Sequence, residues 1–214
     1  MRLQKSDLLL YAITDRSRLK EHETLAMQVE QALKGGATMV QLREKDLPTE
    51  ELAGEALELQ ALCRAYGVPF LINDHVALAK EIDADGVHVG QDDMPADAVR
   101  RLLGPDKIIG VTAKTPEQAR LAEAQGADYL GSGAVFGSST KTDARPMTME
   151  LLREITASVE IPVVAIGGIT AANAAELQGS GVAGAAVVSG IFAAEDIKAA
   201  AAELHRILTE TVVR

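Results

Sequence analysis

Short apolar runs alternate with amphipathic segments along the chain. Eight runs rich in β-branched and other apolar residues span positions 8–14, 39–44, 69–74, 86–90, 107–113, 128–136, 163–169 and 184–192. The segments between them, such as 23–36, 48–67, 94–104 and 115–126, carry apolar residues at spacings of three and four and mostly end on glycine, which predicts helices. A βα unit repeated eight times predicts an α/β protein built as a closed, parallel (β/α)8 TIM barrel.

The main alternative architecture is a doubly wound open sheet, which eight regular units disfavour. The chain has 214 residues, near the short end for one complete barrel, and no Pro/Ser-rich linker interrupts it. We therefore expect a single barrel domain over residues 1–214.

Composition limits the classes of partner. No run of about 18 apolar residues occurs, and Asp7 and Asp15 flank the first apolar stretch, so we expect a cytoplasmic protein with neither a membrane span nor a signal peptide. A net charge of −10 and only six aromatic residues argue against a nucleic-acid surface. Cys63, the single cysteine, lies in a helical pattern and is predicted to fill the core. The oligomeric state stays open, a homo-oligomer included.

Polar residues cluster where the predicted strands end, which is where barrels carry their chemistry. Because side chains alternate along a strand, Gln41, Arg43 and Lys45 should share one face at the end of the second strand. If that face is the barrel interior, the two cations need an anion, and a diphosphate suits a guanidinium fork beside an ammonium. The alternative is that Arg43 and Lys45 are solvated loop residues.

Two carboxylates follow the third and fourth strands. Asp74 and Asp93 are 19 residues apart, about one βα unit, so they should lie at the ends of adjacent strands. Neighbouring carboxylates beside an anion site suggest a Mg²⁺ ion between them, and Asn73 could add an amide contact to a substrate. Each carboxylate could instead cap the helix that follows it.

The other side of the rim is rich in glycine and small polar residues. Gly167-Gly168 and Ser189-Gly190 follow the last two strands, a common phosphate-binding position in barrels. The loop at 137–146 contains Ser139, Thr140 and Lys141 and resembles a mobile lid that could contact phosphate, although a solvated loop is the ordinary alternative. Two anion sites predict two phosphorylated small-molecule substrates and a group transfer.

Histidine contributes little to this prediction. His88 lies within the fourth strand and is expected to be a hydrogen-bonded barrel residue. No histidine triad, metal-binding spacing or nucleophile elbow is visible in the sequence.

Eight motifs in order resemble the thiamine-phosphate synthase family. They are YAITDR (11–16), QLREK (41–45), LINDH (71–75), ADGVHVGQDD (84–93), GVTAKT (110–115), STKTDA (139–144), AIGGI (165–169) and VVSGIF (187–192). The resemblance implies a transferase of thiamine biosynthesis that condenses hydroxymethylpyrimidine diphosphate with hydroxyethylthiazole phosphate, giving thiamine phosphate and pyrophosphate.

The resemblance also implies roles for individual residues. Gln41, Arg43, Lys45 and Asn73 match the pyrimidine-diphosphate site, Asp74 and Asp93 match the Mg²⁺ ligands, and Lys141 matches a lysine that contacts the diphosphate. The residues that match the thiazole-phosphate side are Ser139, Thr140, Gly168, Val188 and Ser189. The implied mechanism is dissociative: pyrophosphate leaves first, and the thiazole nitrogen captures a pyrimidine-stabilised carbocation.

Three positions depart from the family pattern. Thr112 stands where serine is usual and keeps the hydroxyl expected to act in catalysis, Lys114 stands where many members have histidine, and Gly137 stands where proline is frequent. A similar family of thiazole tautomerases resembles an acid–base enzyme with a histidine near position 114, so lysine there disfavours that alternative. A non-catalytic phosphate-binding barrel is the other alternative.

Overall fold

The computed structural model of the chain describes residues 3–44, 47–137 and 146–212. Eight strands pair in parallel in chain order, and the eighth also pairs with the first, which closes the sheet. The strands are β1 (Leu10–Ile13), β2 (Met39–Leu42), β3 (Phe70–Asn73), β4 (Gly86–Val89), β5 (Ile108–Thr112), β6 (Tyr129–Gly133), β7 (Val163–Ile166) and β8 (Gly184–Val187). The predicted (β/α)8 barrel is confirmed.

Helices cover the outside of the barrel. They are α1 (Leu25–Lys34), α2 (Thr49–Tyr66), α3 (Val76–Glu81), α4 (Ala96–Leu103), α5 (Pro116–Ala124), α6 (Met149–Ala157), α7 (Ser189–Phe192) and α8 (Ile197–Val212). Threonine hydroxyls begin three of them, where Thr24, Thr115 and Thr148 each accept a hydrogen bond from the backbone of the first turn. The starts of these three helices therefore follow capping residues that are visible in the sequence.

Two connections differ from the predicted pattern. The run at 184–192 was expected to be apolar strand, but β8 stops at Val187 and Ser189–Phe192 form a short helical turn. Between β7 and β8 the described chain has a 3-10 turn, Ala174–Leu177, in place of a full helix. Gly179 and Gly181 follow this turn with φ values of 71° and 82°, a conformation that does not continue a right-handed helix.

Apolar side chains form two layers because strand residues alternate between the faces of the sheet. Leu10 and Ala12 of β1 belong to the cluster between strands and helices, whereas Tyr11 and Ile13 belong to the cluster inside the barrel. Cys63 on α2 is fully buried in the outer cluster, as predicted. The interior is thus packed with side chains, and the barrel is not an open pore.

In the described part of the chain, no helix combines the length and the apolar character that a membrane span requires.

Candidate active site

The carboxyl end of β2 carries the first predicted site residues. Gln41 is 2% exposed and its Nε2 atom donates a hydrogen bond to the hydroxyl of Tyr11, which places Gln41 inside the barrel. The two-residue period of the strand puts Arg43 on the same side. Arg43 is half-buried, and its backbone N–H donates to Oγ1 of the buried Thr14 at 3.0 Å. This hydrogen bond therefore joins the ends of β1 and β2 at the backbone of Arg43.

An ion-pair network supports the backbone beside Arg43. Arg16 contacts both Glu55 oxygens through Nη2 and Glu44 Oε2 through Nε, the latter at 3.2 Å. Burial raises the pKa of Glu44, and the contact with Arg16 acts against that rise. Glu44 Oε1 is buried without a hydrogen-bond partner among the described residues. Since Arg16 follows β1 and Glu55 lies on α2, the network ties three elements together at the rim.

The two predicted carboxylates follow neighbouring strands. Asp74 comes directly after β3, and its backbone N–H donates to the carbonyl of His88 on β4 at 2.9 Å. Its Oδ2 atom accepts a hydrogen bond from Asn73 Nδ2. Asp93 lies in the loop after β4, where its Oδ2 atom accepts from the Gly90 N–H at 2.7 Å. Both carboxylates therefore have hydrogen bonds that hold them at the rim.

Neither carboxylate takes the alternative role of helix cap. The N-cap residue of α3 is His75 and that of α4 is Pro95, and neither cap has a side-chain hydrogen bond. Asp74 has a φ of 61°, a left-handed conformation that aspartate and asparagine tolerate better than most residues. The described residues contain no group of three or more His, Cys, Asp or Glu placed to hold a metal.

A hydrogen-bonded chain of side chains crosses the barrel interior. It starts at Gln41, passes to the Tyr11 hydroxyl, and continues to the Tyr129 hydroxyl at 2.9 Å. Tyr129 lies 2.9 Å from His88 Nδ1, and His88 Nε2 lies 3.0 Å from Thr112 Oγ1. Five strands contribute one side chain each, and the chain ends at the last residue of β5, at the rim. His88 is thus a hydrogen-bonded barrel residue, as predicted.

The two tyrosines are buried polar groups at the centre of this chain. Burial is the main cause that raises the pKa of Tyr11, and it also raises the pKa of Tyr129, with Tyr11 adding to the effect. Both therefore remain protonated phenols at neutral pH. Their rings meet edge to face with centroids 5.9 Å apart.

Glycine makes space for this aromatic pair. A Cβ atom at Gly110 would lie 2.1 Å from Cζ of Tyr129, so no larger residue fits without moving the ring. At Gly131 a Cβ atom would lie 3.1 Å from Cε1 of His88. The interior glycines of β5 and β6 are therefore the counterpart of the large polar side chains that face them.

The opposite side of the rim is formed by the loops after β7 and β8. Asn173 Nδ2 donates to the carbonyl of Gly168 at 2.9 Å, which fixes the loop after β7. Val188 directly follows β8 and is the N-cap residue of α7, whose first residue is Ser189. The structure thus places Gly168, Val188 and Ser189 at the carboxyl ends of adjacent strands, as the sequence predicts.

Four predicted site residues lie outside the described residues: Lys45, Ser139, Thr140 and Lys141. The loop that leads to the last three begins at Gly137, which has a φ of 80°. The ring of proline cannot adopt that angle, so the backbone at Gly137 differs from one that begins with proline.

Tyr11 and Tyr129 were not predicted as site residues. A signal was present in the sequence, because Tyr129 shares the inward face of its strand with Gly131 and Gly133, two small residues that leave room inside the barrel. Sequence periodicity does not show which strands face each other across the barrel. The hydrogen bond between Tyr11 and Tyr129, which are 118 positions apart, therefore could not be predicted from the sequence and was found only in the structure.

A cavity of about 350 Å³ lies at the opposite end of the barrel, where strands begin. Its lining includes Asp128, Glu160 and Pro162, and none of the site residues named above. The carboxyl end of the barrel, which collects the predicted polar groups, is the candidate active site.

Comparison with known proteins agrees with this geometry. The family model described as thiamine monophosphate synthase matches residues 10–191. A thiamine-phosphate synthase of Ruminiclostridium cellulolyticum is 47% identical over 203 residues, covering 95% of this chain and 96% of the relative. The bifunctional chloroplastic thiamine biosynthetic enzyme TH1 of Arabidopsis thaliana is 47% identical over 209 residues, which are 96% of this chain and 40% of that protein.

A solved structure shares the architecture and much of the sequence. The thiamine phosphate pyrophosphorylase of Pyrococcus furiosus superposes with a TM-score of 0.89 at 44% identity, covering 97% of this chain and 98% of that one. From the family match, the relatives and the barrel together, the chain belongs to the thiamine-phosphate synthase family, a family of transferases in thiamine biosynthesis.

Proposed function

We propose that the chain condenses hydroxymethylpyrimidine diphosphate with hydroxyethylthiazole phosphate to give thiamine phosphate and pyrophosphate, by a dissociative reaction that uses Mg²⁺. The observation that carries the proposal is that the candidate site residues fall into two groups on opposite sides of the rim. Gln41, Arg43 and Asn73 lie on one side, and the loops of Gly168 and Ser189 lie on the other. Two phosphorylated substrates fit this division, and the family resemblance of the sequence motifs implies these two.

The diphosphate is assigned to the side of β2 to β4. Arg43 supplies a charge that neutralises a diphosphate, while Gln41 and Asn73 supply amides for the pyrimidine. The methylene–oxygen bond breaks, and its electron pair leaves with pyrophosphate. The thiazole nitrogen then donates its lone pair to the methylene carbon and carries no proton that must be removed. The site therefore needs charge stabilisation more than a general base, which agrees with its residues.

Mg²⁺ is assigned to Asp74 and Asp93. Two carboxylates at the ends of adjacent strands fit a hard cation whose remaining ligands are phosphate oxygens and water. When bound, the ion would stabilise negative charge on the departing pyrophosphate. The hydrogen bonds from Asn73 and Gly90 would orient the two carboxylates toward it.

The thiazole phosphate is assigned to the loops after β7 and β8, with Gly168, Val188 and Ser189. Backbone N–H groups at the start of a helical turn point outward and can donate to a phosphate. Ser139 and Thr140 are proposed to add hydroxyl donors. Lys45 and Lys141 are proposed to contact the diphosphate, and Thr112 is proposed to donate to it from the end of β5.

The decisive experiment is incubation of the purified protein with both substrates and Mg²⁺, followed by detection of thiamine phosphate and pyrophosphate. Equal amounts of the two products are expected, and either substrate alone should give neither. A protein that is folded, and that forms no thiamine phosphate at any Mg²⁺ concentration, would refute the proposed reaction.

The metal assignment is tested with Asp74→Asn and Asp93→Asn. Asparagine keeps an oxygen that can accept the bond from Asn73 or Gly90, and it tolerates the left-handed backbone at position 74. Each variant should need at least about tenfold more Mg²⁺ for half-maximal turnover, with an unchanged melting temperature. If both variants need the same Mg²⁺ concentration as the wild type for half-maximal turnover, the metal assignment is refuted.

Lys141→Ala tests the proposed diphosphate contact. Charge builds on pyrophosphate as it departs, so the variant should lose turnover more than affinity for the thiazole phosphate. A change confined to the KM of the thiazole phosphate would place the lysine elsewhere.

A further inference from the structure

In the hydrogen-bonded series of side chains inside the barrel, counting protons shows which member of each pair is the donor. The Gln41 amide presents Nε2, which can only donate, so the Tyr11 oxygen accepts that bond. Tyr11 has one proton, and its other partner in this chain is Tyr129. The Tyr11 hydroxyl therefore donates to the oxygen of Tyr129.

The same count continues from Tyr129 to Thr112. With its oxygen accepting from Tyr11, the Tyr129 hydroxyl donates its own proton to His88 Nδ1, 2.9 Å away. A neutral imidazole that accepts at Nδ1 carries its proton on Nε2, which then donates to Thr112 Oγ1 at 3.0 Å. Burial keeps both phenols protonated, so neither tyrosine breaks the sequence of donors.

We propose that Tyr129 is a positioning residue that fixes His88 as its Nε2–H tautomer and thereby makes Thr112 a hydrogen-bond donor toward the substrate. Thr112 accepts from the imidazole, which leaves its own hydroxyl proton for a substrate oxygen. A diphosphate accepts hydrogen bonds and never donates them when fully ionised, so a donor at this position suits it. This role of Thr112 rests on the proposed function, whereas the tautomer of His88 does not.

The packing around Tyr129 supports a fixed position for its hydroxyl. The ring fills the space left by Gly110, and the residue has no measurable solvent exposure. Tyr129, packed in this way, has little room to move its hydroxyl oxygen. Its hydroxyl is therefore a constant partner of Nδ1 and not an adaptable surface contact.

Tyr11 provides a matched control for the loss of a buried hydroxyl. Tyr11 is 1% exposed and belongs to the same buried cluster as Tyr129. In the hydrogen-bonded series it contacts Tyr129, whereas Tyr129 contacts His88 directly. In Tyr11→Phe, the Tyr129 hydroxyl still has Nδ1 as its acceptor, so the tautomer should be retained. In Tyr129→Phe, Nδ1 loses the Tyr129 donor, so the Nε2–H tautomer loses a hydrogen bond that favours it.

The direct test is ¹⁵N NMR of the imidazole nitrogens in protein labelled at its four histidines, without substrates. A His88→Asn sample identifies the signals of His88. At a pH where imidazole is neutral, the wild type and Tyr11→Phe should show a protonated Nε2, and Tyr129→Phe should show a mixture of tautomers. A wild-type protein that carries its proton on Nδ1 would overturn the proposal without any variant. A Tyr129→Phe spectrum identical to wild type would do the same.

The consequence for the substrate is tested with pyrophosphate and Mg²⁺ by titration calorimetry. Tyr129→Phe should weaken pyrophosphate binding about tenfold, as expected for loss of a well-directed bond to an anion, and Tyr11→Phe should change it less than about threefold. Equal weakening in both variants, with equal melting temperatures, would indicate a general packing effect and refute the positioning role. Failure of the proposed reaction would appear as absent thiamine phosphate, and it would leave the NMR result unaffected.

Discussion

Thr112 offers the sharpest separation of shape from hydrogen bonding in the candidate site. Valine has nearly the volume of threonine and is an equally good strand former, but it lacks the hydroxyl; serine keeps the hydroxyl and loses the methyl group. Thr112→Val removes the 3.0 Å bond with His88, which should lower the free energy of unfolding by about 1 kcal/mol. If the hydroxyl also donates to an ionised diphosphate, a further loss of about 1.5–3 kcal/mol should appear in catalysis, or roughly ten- to a hundredfold in kcat/KM.

The assay measures kcat/KM for the pyrimidine diphosphate together with the melting temperature of both variants. Thr112→Ser should stay close to wild-type activity, and Thr112→Val should be folded but impaired. An active Thr112→Val enzyme would refute the catalytic role of the hydroxyl. Impairment of both variants to the same degree would show that the site requires the methyl group as well as the hydroxyl, and would contradict the prediction that the hydroxyl alone matters.

Further predictions concern packing and stability. Gly110→Ala should displace the Tyr129 ring and lower the melting temperature by several degrees, because a Cβ atom there would overlap the ring; wild-type stability would contradict that packing. Arg100→Ala should cost about 2–3 kcal/mol of unfolding free energy in denaturant titrations, since Arg100 donates to four backbone carbonyls and to Asp128, whereas Arg101→Ala at an exposed ion pair should cost under about 0.5 kcal/mol. Equal costs would refute that distinction. The Cys63 thiol, whose pKa burial raises to about 12, should react with a thiol reagent only on unfolding, so rapid labelling of native protein would contradict its burial.

Much of the fold could be predicted because each strand is a short apolar run, the longer helices show helical periodicity, and three of them begin at a threonine cap. The exceptions are informative. The run at 184–192 is apolar throughout, and hydrophobicity alone does not separate the strand that ends at Val187 from the turn that begins at Ser189. The connection at 170–181 carries alanines that favour a helix, but glycines end it after one turn.

The candidate site was predictable where it depends on position along a strand. Gln41, Asn73 and Thr112 could be placed because strands end in a known direction and the carboxyl ends of parallel strands meet. The pair of Tyr11 and Tyr129 could not be predicted. Their hydrogen bond depends on which side chains face one another across the barrel and on the space that Gly110 leaves. Asp93 was expected to bind a metal or to cap a helix. The sequence did not predict the hydrogen bond that Asp93 Oδ2 accepts from the Gly90 N–H, which stabilises the loop after β4.

Closure of the sheet between β1 and β8 also has a consequence for how the chain folds. In the β1–β8 seam, Leu10 pairs with Ala185, which is far along the sequence. All other strand pairings join strands that are consecutive in the chain. Bringing distant segments together costs more chain entropy than joining adjacent ones, so this seam should form late in folding and open early in unfolding. Until it forms, β1 and β8 are free edges that can pair with another molecule. Aggregation during refolding should therefore increase with variants that weaken the seam more than with variants of equal cost elsewhere in the barrel.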